Sequence, residues 1–204
     1  PAIPDGFTGA TYARFRLSTD TAATDATGAA QDGEVEDYVF TITGQSSGRV
    51  ARSLKIAHEL NGGPTLANHD YLGFSVASVG DLDGDGVADL AVGTRDDDTG
   101  GSNYGAVHLL LLNTNGTVKR STKIAHELNG GPSLTKFDGF GSSVVGVGDL
   151  DGDGATDLAA GANADNGGGA VHILLLNTDG TAKRSVRISS ETNGGPTLPN
   201  GDLF

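Results

Sequence analysis

The 204 residues include no cysteine, no methionine and no tryptophan, and aromatic residues make up only 5%. Without cysteine there is no disulfide framework, so a chain working in an oxidising compartment needs another staple, and bound metal is the usual substitute. A chain that starts at Pro1 without methionine is expected to be a processed product or an excerpt of a longer protein. Long hydrophobic runs are missing as well, so neither a leader peptide nor a membrane span is visible. Basic residues are scarce: 13 Lys and Arg stand against 26 Asp and Glu, a net charge of −13. A nucleic-acid binder needs a basic face to displace counterions from phosphate. Grouped carboxylates instead attract divalent cations and are repelled by anionic membranes. The expectation is no nucleic acid and no membrane insertion.

What is abundant is glycine, 33 residues, with hydrophobic residues at 36%. That mixture favours many short strands joined by tight turns over a helical core. The strongest signal is internal repetition. KIAHELNGGP occupies residues 55–64 and returns 68 residues later at 123–132, with a worn third copy, RISSETNGGP, at 187–196. GDLDGDGVADLAVG (80–93) returns as GDLDGDGATDLAAG (148–161), and GAVHLLLLNTNGTVKRS (105–121) as GAVHILLLNTDGTAKRS (169–185). The match of 48–53 with 116–121 sets a further repeat starting in mid-phase near residue 48.

Each repeat reads as four short strands, at 75–80, 89–93, 106–112 and 117–124 in the first full copy. The apolar run Ala106 to Leu112 has the length of a buried strand and is too short for a confident helix. Asn-Gly at 115–116 marks a hairpin, and 177–180 repeats it. The fold class expected is all-β: tandem four-stranded antiparallel blade-like repeats, as a partial β-propeller or an open repeat array. Residues 1–44 differ. Alternation in 11–19 predicts a strand, a polar loop follows, and 33–43 comes after it; the stretch is expected to be a β-sandwich fragment. Arg14 and Arg16 share one face of the first strand, and Glu34, Glu36 and Asp37 are candidate partners. The domains expected are therefore 1–44 and 45–204.

The most specific motif is D-x-D-G-D-G-x-x-D-L, present twice. Its acids are Asp81, Asp83, Asp85 and Asp89, then Asp149, Asp151, Asp153 and Asp157. Calcium takes six to eight hard oxygen ligands. Carboxylates at positions 1, 3 and 5 converge if the chain curls, and Gly86 and Gly154 stand at position 6, where the curl is sharpest. The carbonyls of Val87 and Ala155 at position 7 point inward, and Asp89 and Asp157 close the loop. The pattern is that of an EF-hand loop without its position-12 glutamate, since Val92 and Ala160 stand there. Strand-like flanks replace helices, which places each loop inside a β-hairpin. Four carboxylates within nine residues repel one another unless a cation joins them. The plainer alternatives are an acidic turn without metal, or a metal that is structural only; no nucleophile or base accompanies the loops, so the structural role is the reading adopted.

On these residues the chain resembles the FG-GAP repeats of integrin α-subunit β-propellers and their bacterial relatives. Phe140–Gly141 matches the Phe-Gly element, 149–157 the loop, and Gly161–Ala162–Asn163 stands in place of Gly-Ala-Pro. The earlier copy departs further, with Leu72–Gly73 and Gly93–Thr94–Arg95. The resemblance covers 48–204 and implies one structural Ca2+ per loop, in an extracellular or cell-surface setting. Residues 33–43 are similar to the end of GEVEDY-type modules of large bacterial surface proteins. The resemblance implies a secreted, calcium-stabilised structural or adhesive protein, not an enzyme, that associates with itself or with further repeats of a parent chain, a filament being one form such association could take. The alternative is a carbohydrate- or protein-binding propeller module of a larger adhesin or enzyme, with an extracellular protein or glycan as ligand. Tyr104 is the one aromatic in the intervening loops fit to stack on sugar.

Other recurrent residues carry plainer readings. His58 and His126, and His108 and His172, recur in phase and suggest shared packing. Lys119–Arg120 and Lys183–Arg184 read as solvated strand starts. Asp70, Asp138 and Asp202 read as turn caps, and the NGGP turns as type II or similar.

Overall fold

The structure, a computed structural model, describes residues 9–17, 34–42, 53–165 and 168–197, the first two stretches by backbone alone. The chain divides into two compact units, Pro1–Ser53 and Leu54–Phe204. In the first unit β1 (Gly9–Leu17) and β2 (Glu34–Ile42) pair antiparallel, with Arg14 opposite Asp37 and Arg16 opposite Val35. The pairings considered for Arg14, Arg16, Glu34, Glu36 and Asp37 fall outside the described side chains, and Asp202 and Phe204 fall outside the described residues.

The second unit is two four-stranded antiparallel meanders. The first runs β3 (Ser75–Gly80), β4 (Asp89–Thr94), β5 (Ala106–Leu112) and β6 (Val118–Ile124) in sheet order. The second runs β7 (Phe140–Gly148), β8 (Asp157–Ala162), β9 (Ala170–Leu176) and β10 (Ala182–Ile188). This is the all-β arrangement of tandem blade-like repeats. The third-to-fourth strand turn closes as its Asn-Gly chemistry requires: the Gly116 N–H donates to the Asn113 carbonyl at 2.8 Å with Gly116 at φ +84°. Gly180 repeats the bond to Asn177 at 2.9 Å. The NGGP turns depart from the type II expectation. Asn61 and Gly62 both have positive φ, 54° and 79°, and Gly63 N–H donates to the Leu60 carbonyl at 3.0 Å. Positive φ at both central positions is the type I′ pattern, which Asn-Gly adopts at least cost.

The core lies between the two sheets. Val79, Ala91, Val107, Leu109 and Leu111 of the first sheet meet Phe140, Leu158, Ala160, Leu174 and Leu176 of the second in one buried cluster. These are opposite faces of equivalent strands, because neighbouring residues on a strand point to opposite sides. The first sheet therefore meets the second with one face, and the second meets the first with the opposite face. Backbone bonds stitch the junction: Phe140 N–H donates to the Tyr104 carbonyl at 3.0 Å, and Gly105 bridges Phe140 in parallel. Gly105 has no substitute there, since a Cβ would lie 2.2 Å from the Phe140 carbonyl oxygen.

Phe140 is fully buried and sets its ring edge-on to His172, with centroids 5.6 Å apart. Cutting it back leaves a cavity between the sheets. Phe140→Ala should cost about 3–5 kcal/mol, read as a lower urea midpoint; a change near zero would show that the junction does not bear the unit's stability.

Candidate metal centre

Each acidic loop joins the first two strands of its sheet through a β-bulge. Register shifts between Ser78 and Gly80, and between Gly146 and Gly148. Gly80 and Gly148 carry φ of 67° and 80°, a left-handed setting that glycine takes without steric cost. The bulge turns the chain out of the sheet and into the loop.

Inside the loop the first acid organises the backbone. Asp81 accepts the N–H groups of Asp85 at 2.9 Å and Gly86 at 2.8 Å. Asp149 accepts those of Gly152, Asp153 and Gly154 at 2.7, 3.1 and 2.8 Å. The bond from Gly154 is the main reason the Asp149 carboxyl sits below the usual carboxylate range. The last acid fastens the loop to the sheet. Asp89 has no exposed surface; one oxygen takes the N–H of Leu82 at 3.0 Å and the other that of Leu112, at the end of β5, at 2.8 Å. Asp157 does the same with Leu150 at 2.7 Å and Leu176 at 2.9 Å. Burial pushes the Asp89 carboxyl above its ordinary value against the pull of those two donors.

The structure brings together Asp81, Asp83 and Asp89 in the first loop, and Asp149, Asp151 and Asp153 in the second, each set offering oxygens within 4.8 Å of one another. Asp85 stands apart from the first set: it accepts the N–H of Val87 at 2.9 Å and pairs with Lys119. Asp157 falls outside the second set, although it is held by two backbone N–H groups just as Asp89 is. Val87 and Ala155, whose carbonyls were expected to point inward as ligands, are half-buried and fully buried respectively. The donor set is all oxygen, as calcium prefers. One oxygen of Asp83 is also buried with no partner, which leaves a lone pair free for a cation. The loops thus fit a hard divalent ion, with Asp81, Asp83 and Asp89, and Asp149, Asp151 and Asp153, as the residues that would hold it.

Two lysines add to the sequence reading. Lys119 and Lys183 stand exposed at the start of their edge strands, as read, and each also pairs with loop acids. The Lys119 ammonium lies 2.6 Å from Asp83 and bonds Asp85 as well. Lys183 lies 2.9 Å from Asp151 and bonds Asp153. Lysine holds the Asp85 and Asp153 carboxyls below their usual range, and both ammonium groups are in turn raised. Sequence reasoning missed these partners because each lysine is 30 or more residues from its acids. The signal that could have found them is the strand order, which puts the start of the fourth strand beside the end of the third, where Asp89 and Asp157 anchor.

At the opposite end of each sheet a second polar network recurs. Asp97 bonds Lys123 at 2.6 Å, and the equivalent Asp165 pairs with Arg187 at 2.9 Å through both carboxylate oxygens and with His172 at 3.1 Å. Burial opposes the Asp165 charge, yet His172 and Arg187 outweigh it and hold the carboxyl at about 2. His108 is lowered to about 4 by burial and by the Lys123 charge. The packing role read for these histidines therefore includes a polar side. His58 and His126 accept the N–H groups of Leu66 and Leu134, each at 2.9 Å. Asp70 and Asp138 cap their turns as expected, accepting Ala67 N–H at 2.7 Å and Thr135 N–H at 2.6 Å. Tyr104 sets its ring edge-to-face with His126, centroids 5.1 Å apart, and packs against the core.

Asp157→Asn turns one acceptor into an amide NH2 that must face a backbone N–H. A loss of about 2 kcal/mol is expected, of similar size with and without chelator; a loss seen only in calcium would assign Asp157 to the metal instead. Lys119→Ala should raise calcium affinity at the first loop, because ammonium and metal compete for Asp83. Calorimetric titration reads this, and an unchanged affinity would show that the lysine yields its place without competition.

Residues 81–160 match the family of FG-GAP-like repeats. Mouse integrin alpha-E is 30% identical over 127 residues, 61% of this chain and 10% of that protein. Mouse integrin alpha-2 is 31% identical over 134 residues, 65% of this chain and again 10% of that protein. The matched stretch spans about a tenth of these relatives' length.

Proposed function

With FG-GAP-like repeat sequence across the first loop, the second loop and the strands between them as the premise, we propose that the chain is a calcium-stabilised structural or adhesive module of an extracellular surface protein. Its repeats work by contact with further repeats or with another protein, and its metal is structural. The observation that carries this reading is the pair of equivalent loops with convergent carboxylates, each tied into its sheet by a buried aspartate. The similarity to integrin α chains supports a binding or adhesion role of the propeller type. The matched relatives are called integrins, and their setting is carried to this chain as part of the proposal. No helix among the described residues is long and apolar enough to cross a membrane.

Nothing in the loops supplies a nucleophile beside a base, so chemistry on a substrate forms no part of the proposal. Binding of a glycan is the weaker reading. The one loop aromatic assigned to it, Tyr104, has its ring against His126 and the core.

Calcium bound at a hundred times its Kd stabilises by about 2.7 kcal/mol per site. Chelation with EGTA should therefore lower the melting temperature by many degrees, read by calorimetry in matched buffers. An unchanged melting temperature would remove calcium from the account and leave the loops as acidic turns pinned by lysine.

A further inference from the structure

The two sheets have nearly the same sequence, yet their surfaces differ in one respect. β5 (AVHLLLL) is buried on both faces, whereas in β9 (AVHILLL) burial alternates. The half-open positions are Val171, Ile173 and Leu175, and their counterparts Val107, Leu109 and Leu111 are covered by the second sheet. The contrast extends along the face. Val79 and Leu82 are 1% exposed, while the equivalent Val147 and Leu150 are 36% and 56% exposed, with Val145 at 53% beside them. The outer face of the second sheet is therefore the same apolar surface that the first sheet uses to bind its neighbour, left uncovered among the described residues.

A loop beside this face is set in the bound shape. In the junction that exists, the Asn129 carbonyl accepts Ala182 N–H at 2.9 Å, and a Cβ on Gly130 would meet the Ala182 carbonyl oxygen at 1.8 Å. Asn61 and Gly62 grip Val118 in the same way, at 2.9 Å and 2.1 Å. In the third copy Asn193 and Gly194 hold φ of 52° and 81°, against 52° and 79° at Asn129 and Gly130. Yet nothing described lies within 4 Å of a Cβ on Gly194. A turn held in its docked conformation without the strand it docks has no conformational cost left to meet on binding.

Resting on the repeat-association reading above, we propose that this outer face and the 189–195 loop dock the first sheet of a second copy of this chain. The entering face is the one equivalent to the surface that Phe140, Leu158, Ala160 and Leu174 present inside the chain. In the first sheet these positions are Leu72, Leu90, Val92 and Leu110. Val92 and Leu110 are buried with Ile56 packed against them, and Leu72 and Leu90 are half-buried. With the exposed Val76 they border an apolar cavity of about 250 Å³, so that entry displaces Ile56 together with the Asn61 turn. The Val118 N–H, bonded to its own chain's Asn61, passes to Asn193 of the other copy, so entry exchanges one NGGP turn for another of equal shape. Donor and acceptor faces differ, which makes the contact heterologous and repeatable along a chain of molecules. Leu150, inside the second acidic loop, lies on the docking face, so calcium that orders the loop favours the assembly.

The test is sedimentation velocity on the whole 204-residue chain, in saturating calcium and over a range of concentration, with folding checked by circular dichroism. The wild type should form species larger than a monomer. Val145→Asp spoils the outer face and Val76→Asp, at 58% exposure, the entering face. Each alone should be monomeric, and their mixture should form a dimer, since one intact face of each kind remains. Val145→Thr and Val76→Thr serve if an aspartate variant fails to fold. A monomeric wild type, an assembly that survives Val145→Asp, or a mixture that stays monomeric each overturns the proposal. An assembly that obeys the variants but melts identically in EGTA would sustain the docking face while removing calcium.

Discussion

A buried carboxylate that accepts two backbone N–H groups is the constraint on which each repeat depends. Asp89 and Asp157 take one N–H from their own loop and one from the last residue of the third strand. Loop and strand are far apart in sequence, and the carboxylate makes them one rigid object. Such an acid is costly to bury and stays because its donors are fixed by the sheet. The other acids of the loop are then free to face outward together. Asp81, Asp83 and Asp89 are gathered at the loop, where a cation would meet them together.

The lysines complete this arrangement. A loop with four carboxylates would repel itself open, and Lys119 or Lys183 supplies a positive charge from the fourth strand. The ammonium meets the acids at motif positions 3 and 5, leaving the one at position 1 to organise N–H groups and the one at position 9 to anchor. Two different needs are met by separate residues: local folding by Asp81 and Asp89, charge neutrality by Lys119 or by metal. Exposed ion pairs of this kind contribute little by themselves, so the lysine keeps the loop shaped without making metal entry prohibitive.

Much of this is legible in the sequence, and the limits are physical. Strands 75–80 and 106–112 stand where their alternation and apolar run place them. The second strand gains Thr94, whose hydroxyl donates to the Ala106 carbonyl at 3.1 Å, a bond between strands that no single-strand pattern reveals. The fourth starts at Val118, a residue late, because the Thr117 carbonyl accepts the Asn113 N–H and belongs to the turn. Position counting along the motif names every loop acid, but does not say that Asp85 turns toward lysine or that the acid at position 9 spends both oxygens on the backbone. Those facts depend on strand register, which the motif does not encode. The NGGP turn escapes sequence reading for a related reason. Glycine at the second central position fits type II and type I′ alike, and only the left-handed Asn61 decides.

Repetition also separates what a sequence dictates from what a neighbour dictates. Val79 and Val147 occupy the same phase on the same strand and differ from fully buried to one-third exposed. The residue type is unchanged, so the difference is purely one of partner. An apolar side chain retained where it is not covered destabilises nothing locally but leaves hydrophobic free energy of about 25 cal/mol per Å² ungathered. A four-stranded sheet with two apolar faces is thus incomplete alone, and its stability is shared with whatever stands on either side. In such an array lysine and turn geometry set the shape of each unit, while burial between units supplies the cohesion. Changes at the loops and changes at the faces should therefore act through different terms, one local and nearly concentration-independent, the other collective.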